Sequence, residues 1–341
     1  ELGGVGPVAF AGTALADLGA DVVRLARPGE PEVHSILLRG RRIVELDVRA
    51  DPTEAAVLAG VADVVLEGFR PGVAERLGLG PDAVLAANPS CVYGRMSGWG
   101  RSGPGTDAPG HDINYAAVAG ALHLARGTDG RPVVTPGLIG DFGGAGMTLV
   151  QGVLAALVSA ERTGRGQVVD CSILRSTATL TAAAHELAAQ GAVAVATGAG
   201  EAPFYRAYRC ADDRYVAVGA VESTFYTALR ALCGLAGAEW DAQYAAAGWP
   251  ERCAELERVF ATRTRDEWCA DPGAAPACVS PVLDLAEAPT HPRTVDVFVE
   301  RGGRVQPDVG PQLSATPGTA APPPRRVPPG EVRTTWLEEK R

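Results

Sequence analysis

Short apolar runs alternate with helix-like stretches through the first half of the chain, and that alternation narrows the possible folds more than any other feature. Pro7 to Leu18 reads as a helix of small and apolar residues. Ala20-Asp21-Val22-Val23-Arg24-Leu25 then reads as a buried strand, stopped by Arg27-Pro28-Gly29. Ile43-Val44-Glu45-Leu46 is a second strand. A helix over Asp51 to Leu58 and strands at Ala62 to Glu67 and Cys91 to Met96 follow. A helix over Gly143 to Ala160, the turn Thr163 to Gln167, the strand Val168-Val169-Asp170 and a helix over Ser172 to Gln190 complete the series. Such alternation predicts an α/β fold with a doubly wound parallel sheet.

Beyond Gln190 the pattern changes. Gly191 to Gly200, rich in alanine and glycine, reads as a linker or mobile loop. Tyr205 to Cys210 and Tyr215 to Gly219 read as a hairpin around a polar turn, with helices at Ser223 to Cys233 and Glu251 to Thr262. The expected organisation is a large α/β domain over 1–180, a linker helix and loop over 181–204, and a smaller α+β domain over 205–300. An extended C-terminal segment over 301–341 returns to the large domain, because proline is dense from Thr316 to Pro329.

The 341 residues are 46% hydrophobic, enough for a full core, and the net charge is −9 with no long basic run. Neither nucleic acid nor a membrane is therefore an expected partner; the apolar stretches look too short to span a bilayer, and a cytoplasmic location follows. The seven cysteines are scattered without a Cys-x-x-Cys pair, which predicts free thiols and no metal site. Lys340 is the only lysine, which argues against a P-loop and against a pyridoxal phosphate enzyme.

Two stretches carry titratable side chains among glycines and apolar residues: Gly110-His111-Asp112-Ile113-Asn114-Tyr115 and Gly140-Asp141-Phe142-Gly143-Gly144. His111 could be a satisfied histidine, or a base with Asp112, Asn114 and Tyr115 as polar partners. Asp141 could be a helix N-cap, or a carboxyl group with its pKa raised by apolar surroundings and backbone N–H groups nearby to hold an oxyanion. Glu222 could be a solvated or capping glutamate. Arg24, Arg27, Arg39, Arg41, Arg42 and Arg49, with Arg70, Arg76 and Arg95 further on, form either scattered ion pairs or a phosphate-binding edge.

Together with Ala20 to Arg24, Glu67-Gly68-Phe69-Arg70-Pro71-Gly72, Glu75 to Gly80, Met96 to Gly100, Gly164 to Gln167, Ala202 to Tyr205 and Asp213 to Gly219, these strings resemble the family III CoA-transferases of the CaiB/BaiF type. Gly110 to Tyr115 is the string that resembles the α-methylacyl-CoA racemase branch. The resemblance implies a large Rossmann-like domain and a small α+β domain in an interlocked homodimer. It implies His111 and Asp141 as acid/base residues, with Glu222 and Asp112 as orienting or electrostatic partners. It also implies CoA contacts at Arg27, Arg42, Leu46, Asp47, Val48, Arg49, Gly68, Phe69, Arg70, Arg76, Gly110, Ile113, Asn114 and Tyr115. The implied reaction inverts the α-carbon of 2-methyl-branched acyl-CoA thioesters by two-base proton transfer through an enolate, with no cofactor beyond the CoA of the substrate. A CoA-transferase using Asp141 as nucleophile is the alternative. The chain departs from the racemases in a shortened loop, Thr197 to Glu201, before Ala202-Pro203, and in having only Met96 and Met147 as methionines. Alanines and leucines of Ser172 to Gln190 are then the expected acyl surface, and the acyl group stays open.

Overall fold

A computed structural model describes residues 1–4, 6–31, 35–127, 129–190 and 201–339. The expected loop from Gly191 to Gly200 and Lys340 lie outside the described residues. The apolar runs form parallel strands Val22–Ala26 (β1), Arg41–Glu45 (β2), Val64–Glu67 (β3), Val92–Ser97 (β4) and Val168–Ser172 (β5). They make two three-stranded parallel sheets instead of the one sheet expected. β3-β4-β5 is one; β1 and β2 with Arg325–Arg326 of the proline-rich stretch are the other.

Two residues link the facing edges of these sheets. The Glu1 nitrogen donates to the Val23 carbonyl at 2.7 Å, and the Leu25 N–H donates to Glu1 at 2.9 Å. Leu2 donates to the Leu66 carbonyl at 2.8 Å, so the backbone of residues 1 and 2 lies between β1 and β3.

Because side chains alternate along a strand, neighbouring residues feed separate cores on the two faces. Val65 and Tyr93 join Ala55, Leu58, Val84 and Val332, buried under helices Thr53–Val61, Pro81–Ala87 and Pro329–Glu339. Leu66 and Val92 join Val8, Ala11, Leu15, Leu149, Val153 and Ile173, from helices Pro7–Asp17, Met147–Thr163 and Ile173–Leu180. Most of the arginine cluster is structural. Arg24 and Arg41 pair with Glu1, and Arg39 pairs with Asp17, all deeply buried. Arg42 pairs with Asp21 and stacks over Trp336. Removing one partner of such a pair strands the other charge, which binds these segments to one another.

The helix expected from Gly143 begins earlier. Leu138–Gly146 is a π-helix that runs directly into Met147–Thr163. Together they form a 26-residue helix with an 18-residue window of mean hydropathy 1.5, longer than the expectation of short apolar stretches allowed. Its Leu149, Val150, Val153 and Ala156 pack into the core, and it carries Asp141, so it reads as a core helix.

The chain forms two compact units, drawn differently from the expectation. The first comprises residues 1–121, 135–180 and the chain from 291 onward; the second comprises 122–134 and 181–290. The expected helix from Ser172 to Gln190 is broken into Ile173–Leu180 and Ala182–Ala189 at that boundary. The C-terminal segment is less extended than expected: it holds a hairpin, Phe298–Arg301 with Arg304–Pro307, and the helix Pro329–Glu339. In the second unit Tyr205–Arg209 and Tyr215–Gly219 pair antiparallel, and Val279–Pro281 adds a third strand. Phe204, Tyr208, Trp240, Trp249, Phe260 and Trp268 dominate the core of that unit.

Gly166, just before β5, donates to the Pro89 carbonyl at 2.8 Å, and a Cβ there would run into the backbone carbonyl of Cys91. Backbone cannot swing aside as a side chain can. Gly166→Ala is expected to destabilise the first unit by roughly 3 kcal/mol, the upper end for overpacking, read as a lowered midpoint in thermal denaturation.

Candidate active site

Parallel strands point their carboxyl ends to one edge, and the loops leaving that edge collect the candidate residues. Arg27 follows β1, Leu46 to Arg49 follow β2, Gly68 to Arg70 follow β3, and Gly110 to Tyr115 come after β4. Arg76 ends the short helix Val73–Arg76 beyond the β3 loop. Arg27, Arg49, Arg70 and Arg76 are exposed, and none of them forms an ion pair among the described residues. They remain open to an anionic ligand. Asp47 is occupied locally, accepting from the Arg49 and Ala50 N–H groups at 3.1 and 3.2 Å. Arg42 departs from the expectation: it lies near the start of β2, at the opposite edge, committed to Asp21 and Trp336.

His111 is the exposed N-cap of helix Asp112–Val118, in extended conformation, and its N–H donates to Asn114 Oδ1 at 3.0 Å. That bond fixes the entry of the chain into the helix. Tyr115 is buried and packs edge-on against Trp99 with ring centroids 4.8 Å apart. A Cβ at Gly98 would overlap the Tyr115 hydroxyl, so the glycine there makes room for the ring.

Asp112 reaches back from the same turn. Its Oδ1 accepts the Asp141 N–H at 3.0 Å and its Oδ2 accepts the Gly137 N–H at 3.2 Å. Asp141 is therefore not the N-cap weighed from the sequence. It sits inside the π-helix behind Gly137, and Asp112 serves the helix start from outside. Two of the amides near the start of that helix, those of Gly137 and Asp141, are thereby occupied. Gly140 permits this, because a Cβ on it would strike Asp112 Oδ1.

The Asp141 carboxyl group makes no hydrogen bond among the described residues. Its Oδ2 lies 2.7 Å from where a Cβ of Gly6 would stand, and Gly6 has φ +61°, the left-handed region that favours glycine. Burial, and then the negative charge of Asp112, push its pKa up to about 6, against a downward pull from His111. Burial likewise raises the Tyr115 phenol, helped by the charge of Asp141. The geometry thus presents a histidine and an easily protonated carboxylic acid on two helix starts clasped by one aspartate.

Glu222 lies in the second unit, exposed, at the N-cap of helix Ser223–Cys233, and its side chain makes no cap hydrogen bond. No group of three or more potential metal ligands is found among the described residues.

The profile of CoA-transferase family III matches residues 1–326. The chain belongs to this family. It is 39% identical to the mouse α-methylacyl-CoA racemase over 326 residues, 93% of this chain and 85% of that one. It is 39% identical to the human α-methylacyl-CoA racemase over 322 residues, 92% of this chain and 83% of that one. Among solved structures, the protein Rv3272 of Mycobacterium tuberculosis matches with a TM-score of 0.80 at 28% identity, covering 98% of this chain and 96% of that one.

In this member of the family, sequence reasoning missed three contributors to the site. Gly6 and Gly137 have positive φ and flank Asp141 and the first turn of its helix. Arg101 pairs with the buried Glu67 at the root of the β3 loop. The glycines were visible only as one more glycine-rich string, and nothing near Arg101 in sequence marks its partner.

A carboxyl group whose pKa is higher in the folded than in the unfolded chain favours folding when protonated. Its contribution is fully present below the unfolded value of 3.8 and is lost as pH rises through about 6. Asp141→Asn, neutral at every pH, is therefore expected to be more stable than the parent at pH 7.5. The gain is on the order of 1–2 kcal/mol, discounted for partial solvent access. It should vanish near pH 4, as read by denaturant titrations across that range.

Proposed function

We propose that the protein is a racemase or epimerase that inverts the α-carbon of 2-methyl-branched acyl-CoA thioesters. The observation that carries the reading is an Asp141 whose pKa is about 6 and whose backbone is held by Asp112, the residue next to His111 in sequence. Relatives named α-methylacyl-CoA racemase support it.

Neutral His111 takes the α-proton from one face, and the electron pair of the C–H bond moves into the thioester as an enolate. Protonated Asp141 returns a proton to the opposite face, and in the reverse direction the roles exchange. Each proton transfer of this kind contributes about 10²- to 10⁴-fold, so the enolate oxygen needs a donor as well. With the Asp141 amide occupied, the amides of Asp112 and Ile113 remain. They stand in the first turn of the His111 helix and have no acceptor among the described residues.

The exposed arginines Arg27, Arg49, Arg70 and Arg76 are assigned to the phosphates of CoA, with Leu46 to Val48, Gly68, Phe69, Gly110 and Ile113 to Tyr115 beside them. Arg42 is not included. The partner role of Glu222 rests on the resemblance alone. We further infer a homodimer with a Rossmann-like large domain. Met147, Leu154 and Val158 support a self-association face: all are 42–48% exposed on one helix. No cofactor is assigned beyond the CoA of the substrate, and the cytoplasm is the assigned location.

One observation favours a second reading. The Asp141 carboxylate has no hydrogen-bond partner among the described residues and is placed to attack a thioester carbonyl, forming a mixed anhydride and releasing CoA thiolate, as a transferase would.

A single enantiomer of 2-methylbutanoyl-CoA incubated in deuterated water separates the two. The racemase reading expects deuterium at the α-carbon together with loss of optical purity, and His111→Ala should slow racemisation by about 10²-fold or more. A hydroxylamine-sensitive adduct on Asp141, with no α-deuterium, would establish the transferase instead.

A further inference from the structure

Glu67, the last residue of β3, is fully buried, and burial raises its pKa. A buried carboxylate needs a compelling partner, and the described residues supply two. Arg101 reaches it from the loop after β4 with one Nη, and the Phe69 N–H donates to Glu67 Oε2 at 2.8 Å. The same guanidinium lies 3.5 Å from Glu75 in the helix that ends at Arg76. Arg101 is itself only 12% exposed. A short polar chain thus runs from the β4 loop through Glu67 to the amide of Phe69.

The segment at the end of that chain is also held by Phe69, which packs against the core, and by the Val73 N–H, which donates to the Arg70 carbonyl at 3.1 Å. Gly68 closes against Gly4 and Val8, where a Cβ would stand 3.2 Å from the Gly4 Cα, and the Phe69 ring lies against Gly3. Those glycines belong to the stretch that continues to Gly6, beside the Asp141 carboxyl group. The Glu67 carboxylate, through the Phe69 amide, thus helps to set the backbone of Gly68-Phe69-Arg70, which carries the exposed Arg70 guanidinium.

We propose that Arg101 is a positioning residue for acyl-CoA: by pinning the Glu67 carboxylate it holds Gly68-Phe69-Arg70 in the conformation that receives the CoA moiety, without touching the reacting carbon. This inference rests on the acyl-CoA reading above. It predicts an effect on binding and not on proton transfer, because the Asp141 backbone is held by Asp112, which is not part of that chain.

The test measures CoA binding by calorimetry and α-deuterium exchange of 2-methylbutanoyl-CoA for the full chain and for Arg101→Met and Arg101→Lys. For Arg101→Met the Kd for CoA and the KM should rise by about tenfold, the loss of one charge-assisted hydrogen bond, with kcat at saturation within about twofold of the parent. Arg101→Lys, able to meet Glu67 through a single ammonium, should recover part of the affinity. Unchanged Kd in both variants, or a loss confined to kcat, overturns the proposal. If Arg101→Met does not fold, Arg101→Lys decides alone: a rise in Kd of about threefold or more supports positioning, and parental affinity refutes it. A parent protein that binds no CoA would instead remove the acyl-CoA reading itself, and the two failures are thus distinguishable.

Discussion

The carboxylate of Asp112 is the contact on which the site depends. One oxygen takes the amide of Asp141 and the other takes that of Gly137. The residue immediately before it is His111, so a single side chain ties two segments remote in sequence into one rigid junction. The same charge helps keep Asp141 protonatable near pH 6, with burial contributing more. Replacing Asp112 would therefore disturb geometry and acidity together, which makes it a poor probe of either alone.

The surrounding fold explains why such a junction can exist. Parallel strands place their following loops at one edge, and helices on both faces bury the strands from either side. The π-helix is the local departure. Its wider backbone follows a run of glycines, and Gly140, Gly143 and Gly144 each lack a Cβ where one would meet Asp112 or a backbone carbonyl. Such turns often occur at functional sites, and here the glycines make the shape sterically possible.

Much of this was legible in the sequence. Strand positions were, because short apolar runs between turn signals leave few alternatives, and strands β1 to β5 fall within a few residues of those runs. His111, Asp112 and Asp141 also stood out as titratable groups set among glycines. What escaped were partnerships across long sequence separations. The helix start at Gly137 is served by Asp112, 25 residues earlier, so of the two readings open for Asp141 the N-cap does not hold. Arg101 and Glu67 are 34 residues apart. The arginine cluster left ion pairs and a phosphate-binding edge both open; Arg24, Arg39, Arg41 and Arg42 are spent on carboxylates, and only strand register reveals that Arg42 faces the far edge. A π-helix leaves no period that a pattern of 3.6 residues would detect, so its start was read too late.

The central claim is that His111 and Asp141 serve opposite faces of one carbon. Stereochemically resolved exchange tests it most directly: each enantiomer of 2-methylbutanoyl-CoA is incubated in deuterated water with His111→Ala and, separately, with Asp141→Asn. The account predicts that each variant exchanges the α-hydrogen of one enantiomer only, that the two variants choose opposite enantiomers, and that racemisation falls by about 10²-fold or more in both. Exchange of the same enantiomer by both variants, or racemisation near the parental rate in either, would contradict it.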